Sequence, residues 1–177
     1  MDFGEYGGER IVDVQEVAVE SNTLSFEDYI RIRSFAFITE IAFNNFVFIE
    51  MTRYLKEQGV TPFVWLQAIW NAQESWPEEI RKIHESFIRA TREELWETED
   101  DILAYYRLPE NYARLVAGEA GGNVIYRYKS MAFAHLEKWT RCVARIVLSL
   151  AAARRGDAAS TDAGGARRAT LAEVARS

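Results

Sequence analysis

FEDYIRIRSFAFITEIAFNNFVFIEMTRYLKEQ, residues Phe26 to Gln58, is the stretch whose reading decides the fold class. Phe26, Tyr29, Ile30, Ile38, Ile41, Ala42, Ile49 and Leu55 recur at helical spacing. So many apolar residues stand between them that the apolar arc covers more than half of a helix circumference, and such a helix must be buried on several sides. Its start is written as a capping box, Ser25 with Asp28, and Leu24 is placed to staple onto Tyr29. Its end carries Lys56 in the last turn, Gly59 where a left-handed residue is wanted, and Pro62 beyond. Unbroken, it would be about 50 Å long, more than a domain of this size is wide, so a bend is expected near Asn44-Asn45.

Outward from this helix the chain punctuates itself into further helices. Thr61 and Pro62 open PFVWLQAIWNAQESW, in which Trp65, Ile69 and Trp76 share a face. A third helix starts near Ser75 to Pro77, with Ile80, Ile83 and Phe87 as its apolar stripe and Glu78 to Glu94 supplying a charged face. Thr98 with Asp101 caps a short helix that halts before Pro109, and Pro109 begins another that closes at Gly118. After the glycine-rich GEAGGN, one long helix is expected from Val124 to Leu150, carrying Tyr128, Met131, His135, Trp139, Val143 and Ile146 at three-or-four spacing.

The two ends read differently. Residues 1–10 are Gly-rich and acidic and read as a flexible lead-in, followed by Ile11 to Glu20 as a short strand with no second strand downstream to pair with, so that it is either merely extended or pairs with protein outside this chain. Such an orphan edge invites pairing with another chain. Beyond Arg154 the sequence turns to Ala, Arg, Gly and Ser without an aromatic residue, and has too little apolar surface to offset its chain entropy. The expectation is therefore an all-α protein, an irregular multi-helix bundle around one long central helix, with a short N-terminal β segment and a disordered C-terminal tail. Its divisions fall at residues 1–20, 21–153 and 154–177.

Bulk composition excludes several classes of function. A net charge of −6 over 177 residues argues against nucleic acid as the main partner. The only cysteine, Cys142, permits no internal disulfide. The start MDFGEYGGER has neither a basic n-region nor an apolar h-region, and Glu40, Asn44, Asn45 and Glu50 interrupt the most apolar stretch. A cytoplasmic location without a membrane span is expected.

Candidate chemistry is sparse. Neither His84 nor His135 has a carboxylate three residues before it, so the Glu-x-x-His signature of a binuclear bundle site is missing. His135 and Cys142, seven apart on one expected helix, make at most half of a metal site, and a core imidazole with a buried thiol is the plainer reading. Glu93, Glu94, Glu97, Glu99, Asp100 and Asp101 read as a solvated helix end, because no buried partner is in view. Gly118, Gly121 and Gly122 lack the Lys-Ser/Thr of a phosphate loop and read as a hinge. The candidate partner or ligand face consists of Asn44 and Asn45 in the organising helix together with Asn123, Tyr126, Arg127 and Lys129, with solvated charge as the plainer alternative for the last group.

Three stretches, ERIVDVQEVAVESNTLSFEDYIRIR, IAFNN…YLKEQG and PENYARLVAGEAGGNVIYRYKS, together resemble the helical region that follows the catalytic barrel in cobalamin-binding radical S-adenosylmethionine proteins. The resemblance covers roughly Glu9 to Trp139. That chemistry requires three cysteines spaced C-x3-C-x2-C, and this chain has one, so no catalytic or cofactor-binding residue of the family maps onto it. The resemblance implies a non-catalytic accessory domain packed against such a barrel, in cis or in trans. The iron–sulfur cluster, S-adenosylmethionine and cobalamin would then belong to domains outside this sequence. The alternative is a free-standing helical module that binds a small apolar ligand or a partner helix among its aromatic residues.

Overall fold

A computed structural model describes residues 2–174, with side chains described through residue 156. Two short strands, β1 (Phe3–Tyr6) and β2 (Glu9–Val12), are followed by eight α-helices among the described residues: α1 (Phe26–Thr39), α2 (Ile49–Glu57), α3 (Pro62–Asn71), α4 (Glu78–Glu93), α5 (Glu99–Arg107), α6 (Pro109–Val116), α7 (Val124–Phe133) and α8 (Leu136–Val174). The mostly helical architecture agrees with the sequence reading. No single helix among the described residues is long and apolar enough to cross a membrane.

The organising stretch bends where the sequence places the bend. A π-helical turn, Glu40–Asn44, follows α1, and the run ending at Asn44 meets α2 at 92°. The Asn44 amide donates to Glu40 Oε2 at 2.7 Å, and the Asn45 amide donates to Glu40 Oε1 at 3.2 Å and to the Glu40 carbonyl. The two asparagines thus clasp the carboxylate that begins the wide turn, replacing helix hydrogen bonds with side-chain ones. Ser25 caps α1 as written, accepting from Asp28 N at 3.2 Å while Asp28 Oδ2 accepts from Ser25 N at 3.3 Å. Gly59 ends α2 at φ +72°, and the amides of Gly59 and Val60 donate to Lys56 and Leu55 carbonyls at 3.0 and 2.9 Å, a Schellman closure that buries Val60 beside Leu55.

Two expectations need correction. The strand is not an orphan: β1 pairs antiparallel with β2, Phe3 opposite Val12 and Tyr6 opposite Glu9. The turn between them is Gly7-Gly8, both at positive φ (61° and 85°), the conformation that a two-residue hairpin loop demands. The lead-in therefore supplies the partner, and only Ile11 and Val12 of the expected strand enter the ladder; residues 13–20 carry no ladder pairing. The long C-terminal helix is also not continuous, since Ala134 and His135 form a turn between α7 and α8. No glycine or proline stands at that break. The disorder expected over 154–177 falls largely outside the described side chains; the described backbone continues α8 to Val174, and residues 175–177 lie outside the described residues.

The chain divides into two compact units, Met1–Phe37 with Glu79–Ala134, and Ile38–Glu78 with His135–Ser177. The expected helical domain, 21–153, is shared between them. In the first unit, Phe37 of α1 stacks on Phe87 of α4 at 4.7 Å, and Tyr128 of α7 meets Phe87 edge-on at 5.9 Å. A satellite core of Ile102, Tyr106, Tyr112 and Leu115, from α5 and α6, receives Val12 and Val14. Phe3 sits edge-on against Tyr112 at 6.1 Å, which docks the hairpin on α6.

In the second unit, α2 and α3 pack on α8. Ile41, Leu55, Trp65, Ile69, Trp139 and Val143 are buried there, and Trp76 meets Trp139 edge-on at 5.4 Å. The Trp76 indole donates to the Ile69 carbonyl at 3.0 Å, whereas the buried indole N–H groups of Trp65 and Trp139 have no hydrogen-bond partner among the described residues.

Candidate functional site

The first unit carries a cleft of about 1120 Å³. One wall is the extended segment Asp13–Val19, which the hairpin leads into; the opposite side is the end of α4 and the loop to α5, residues 93–99; the rim is closed by the start of α7 and the glycine-rich residues 120–123 before it. The Asp13 amide still donates to the Asp2 carbonyl at 2.7 Å, and beyond it the segment continues without strand pairing.

Among the lining residues is an ion pair between Arg33 of α1 and Glu94, Nη2 to Oε1 at 3.0 Å, with side chains 25% and 31% exposed. Burial pushes the Glu94 carboxyl above its ordinary range, and Arg33 and Arg127 oppose that rise. Arg33 Nε is buried without a hydrogen-bond partner among the described residues. Glu94 is thus not part of a merely solvated helix end; its partner lies 61 residues away on α1, beyond the reach of a local reading. Seven carboxylates line the cleft against three arginines, and each arginine is engaged. Arg33 holds Glu94, Arg114 approaches Glu119 at 3.8 Å and donates to the Tyr105 hydroxyl at 3.3 Å, and Arg127 lies 5.1 Å over the Tyr128 ring.

The aromatic side of the cleft is continuous. Trp96 faces Tyr105 with ring centroids 5.0 Å apart, and Tyr105 meets Tyr106 edge-on at 5.1 Å. Sequence reasoning passed over Trp96 because it follows the carboxylates of an apparent helix end; an indole inside an acidic loop was the signal available.

The expected partner face divides. Asn123 and Arg127 line the cleft, and Asn123 also caps α7 by accepting from Tyr126 N at 3.3 Å. Tyr126 and Lys129 do not line it; the Lys129 ammonium lies 4.3 Å over the Tyr126 ring. Asn44 and Asn45 belong to the second unit, where they clasp Glu40.

Two other chemical groupings are weaker. Ser34 Oγ and His84 Nε2 share a 2.7 Å hydrogen bond that sequence, with fifty residues between them, could not show. In an open site a hydroxyl beside an imidazole would be a nucleophile and its base. Here both are buried, His84 beside the stacked rings of Phe37 and Phe87, and neither lines the cleft; burial lowers the His84 pKa to about 4. In the second unit a groove of about 400 Å³ runs past Ala68, Ala72, Cys142 and Ile146. Burial pushes the Cys142 thiol up and disfavours the thiolate, and its sulfur lies 3.6 Å from the Ser75 carbonyl. His135 precedes α8 instead of sharing a continuous helix with Cys142. Among the described residues no group of three or more His, Cys, Asp or Glu side chains is gathered to hold a metal ion.

No protein family, curated protein or solved structure matches the chain.

Proposed function

We propose that this chain is a non-catalytic binding module that works through the cleft of its first unit. One observation carries the reading. Two stretches about a hundred residues apart, both quoted for their resemblance to the helical region of cobalamin-binding radical S-adenosylmethionine proteins, line the same cleft: Asp13–Val19 and Arg33 from the first, Arg114 and Glu119 to Arg127 from the second. A concave site of this size, with a few polar groups fixed among its lining residues, is the common form of a small-ligand site. Its seven carboxylates make it a poor host for a purely apolar molecule, which narrows the alternative drawn from aromatic content alone.

The test is a screen of chemically mixed small molecules against the isotope-labelled full chain. The expected result is a set of hits that shift backbone amides of residues 13–19, 94–99 and 120–127. A screen without hits, or hits confined to the groove beside Cys142, would overturn the proposal.

A second reading, an accessory domain docked on a radical S-adenosylmethionine barrel with its cobalamin and iron–sulfur cluster, draws on the same convergence of stretches. β2 pairs with β1 along one edge and keeps its other edge open, so association or self-association through residues 11–20 stays part of this reading. This reading is tested by mixing the purified chain with a cobalamin-dependent radical protein encoded beside it. A complex lost on altering the cleft supports it, and sedimentation as two separate species sinks it.

A further inference from the structure

We infer that the cleft of the first unit binds a small organic ammonium, a cation carrying alkyl groups, against the rings of Trp96 and Tyr105. The inference rests on the reading of that cleft as a binding site and names its ligand class.

Trp96 and Tyr105 both line the cleft, with centroids 5.0 Å apart and planes inclined at 51°, and Tyr106 stands edge-on behind Tyr105. Trp96 is 41% exposed, and tryptophan is the side chain that attracts cations most strongly. No arginine or lysine among the described residues lies over either ring. Arg114 reaches the Tyr105 hydroxyl instead of its face, Arg33 lies over Phe87, and Arg127 lies over Tyr128.

The charge around these rings has the matching sign. Asp13, Glu16, Glu97 and Glu99 line the cleft, and among the described residues none has a cationic side chain paired to it. Glu97 and Glu99 follow the indole one and three residues on in sequence. With all three arginines of the cleft engaged, the remaining field is negative, and a negative cleft with low-dielectric walls concentrates cations. An inorganic cation would satisfy the carboxylates without using the rings. An apolar molecule would use the rings and leave the carboxylates partly desolvated. An alkylated ammonium uses both, its methyl or methylene groups on the ring faces and its charge within the acidic rim.

The experiment is an NMR titration of the full chain, reading the Trp96 indole signal and the amides of residues 13–19 and 96–99. The probes are choline, tetramethylammonium and spermidine, with 3,3-dimethylbutan-1-ol as the neutral carbon analogue of choline. At least one ammonium should shift these signals saturably, with affinity falling as salt rises. The neutral alcohol should bind about tenfold more weakly, and Trp96→Ala should weaken the ammonium by about tenfold, within the range of a partly desolvated cation–π contact. Glu97→Gln should weaken it a few-fold and flatten the salt dependence. Equal binding of alcohol and choline would overturn the ammonium assignment while leaving the cleft as a binding site. Unchanged affinity in Trp96→Ala, or no shift with any of the three ammonium probes, would overturn it too. Shifts confined to the groove beside Cys142 would overturn both this assignment and the binding-module reading.

Discussion

Trp139 is wholly buried in the second unit, edge-on to Trp76, while Trp96 in the first unit leaves 41% of its surface exposed in a cleft also lined by Asp13, Glu16, Glu97 and Glu99, none of which has a cationic partner among the described residues. The second unit places its large rings where water is excluded, even leaving the indole N–H groups of Trp65 and Trp139 without partners among the described residues, at about 1–3 kcal/mol each. Such rings serve cohesion. In the first unit Phe37, Phe87 and Tyr106 are the buried rings, whereas Trp96 keeps 41% of its surface exposed. Residues that the fold does not require, gathered at one cleft, are where a function has room to reside.

The comparison breaks most completely at Ile41, which is fully buried in the second unit on the π-helical turn. Ile41→Asp places an unpaired carboxylate in that core at a cost of several kcal/mol, comparable with a total stability of about 5–15 kcal/mol. The expected outcome is loss of the folded circular-dichroism and NMR signatures of residues 38–78. A variant that keeps wild-type stability would show that the face of Ile41 is not core.

Acid probes the first unit. The unfolded imidazole has an ordinary pKa near 6.5, and burial lowers that of folded His84 to about 4. Between these values the unfolded chain binds the extra proton, so this contribution to stability is fully present above pH 6.5, falls as pH drops, and levels off below about pH 4. The window corresponds to roughly 3 kcal/mol. In a His84→Gln variant the slope of stability between pH 6.5 and 4 should flatten, measured by urea unfolding across the range. A slope equal to the wild type would mean that other groups carry it.

The Arg33–Glu94 pair gives the next smaller effect. Arg33→Met leaves a half-buried carboxylate without its partner and should cost about 1–2 kcal/mol at pH 8, less than a fully buried pair because both side chains keep some solvent. Glu94 is already raised by burial, and losing Arg33 raises it further. The folded variant therefore takes up a proton at higher pH than the wild type, and its deficit should shrink as pH falls through the carboxyl range. A deficit independent of pH would assign the loss to packing over Phe87 instead of charge.

Much of this was legible because it is local. The Ser25–Asp28 box, the Gly59 closure, the Thr98–Asp101 cap and the bend at Asn44-Asn45 each depend on residues within five positions of one another. The hairpin was legible too: Gly7-Gly8 between Phe3–Tyr6 and Glu9–Val12 is a two-residue turn, overlooked because a glycine-rich terminus also reads as flexible. What could not be read joins distant segments. Arg33 meets Glu94, Ser34 meets His84, and Asp13–Val19 faces Trp96 only once the helices have packed. The break at Ala134-His135 left no local mark, since Ala132, Phe133 and Ala134 are compatible with an unbroken helix.

The smallest expected effect is the sharpest separation of the two units. Trp96→Ala removes a large ring, yet that residue is 41% exposed and its ring packs against Tyr105. Replacing a buried tryptophan such as Trp139 by alanine costs about 3–5 kcal/mol, because transfer and cavity terms add. Trp96→Ala loses only part of the transfer term and leaves an open surface, with no closed cavity, so its cost should stay within about 1 kcal/mol. Parallel urea titrations of the two variants decide the point. If Trp96→Ala is as damaging as Trp139→Ala, Trp96 is a structural wall of the satellite core around Tyr106. Its exposure would then reflect how that core meets solvent, and the aromatic side of the cleft would owe its geometry to cohesion after all.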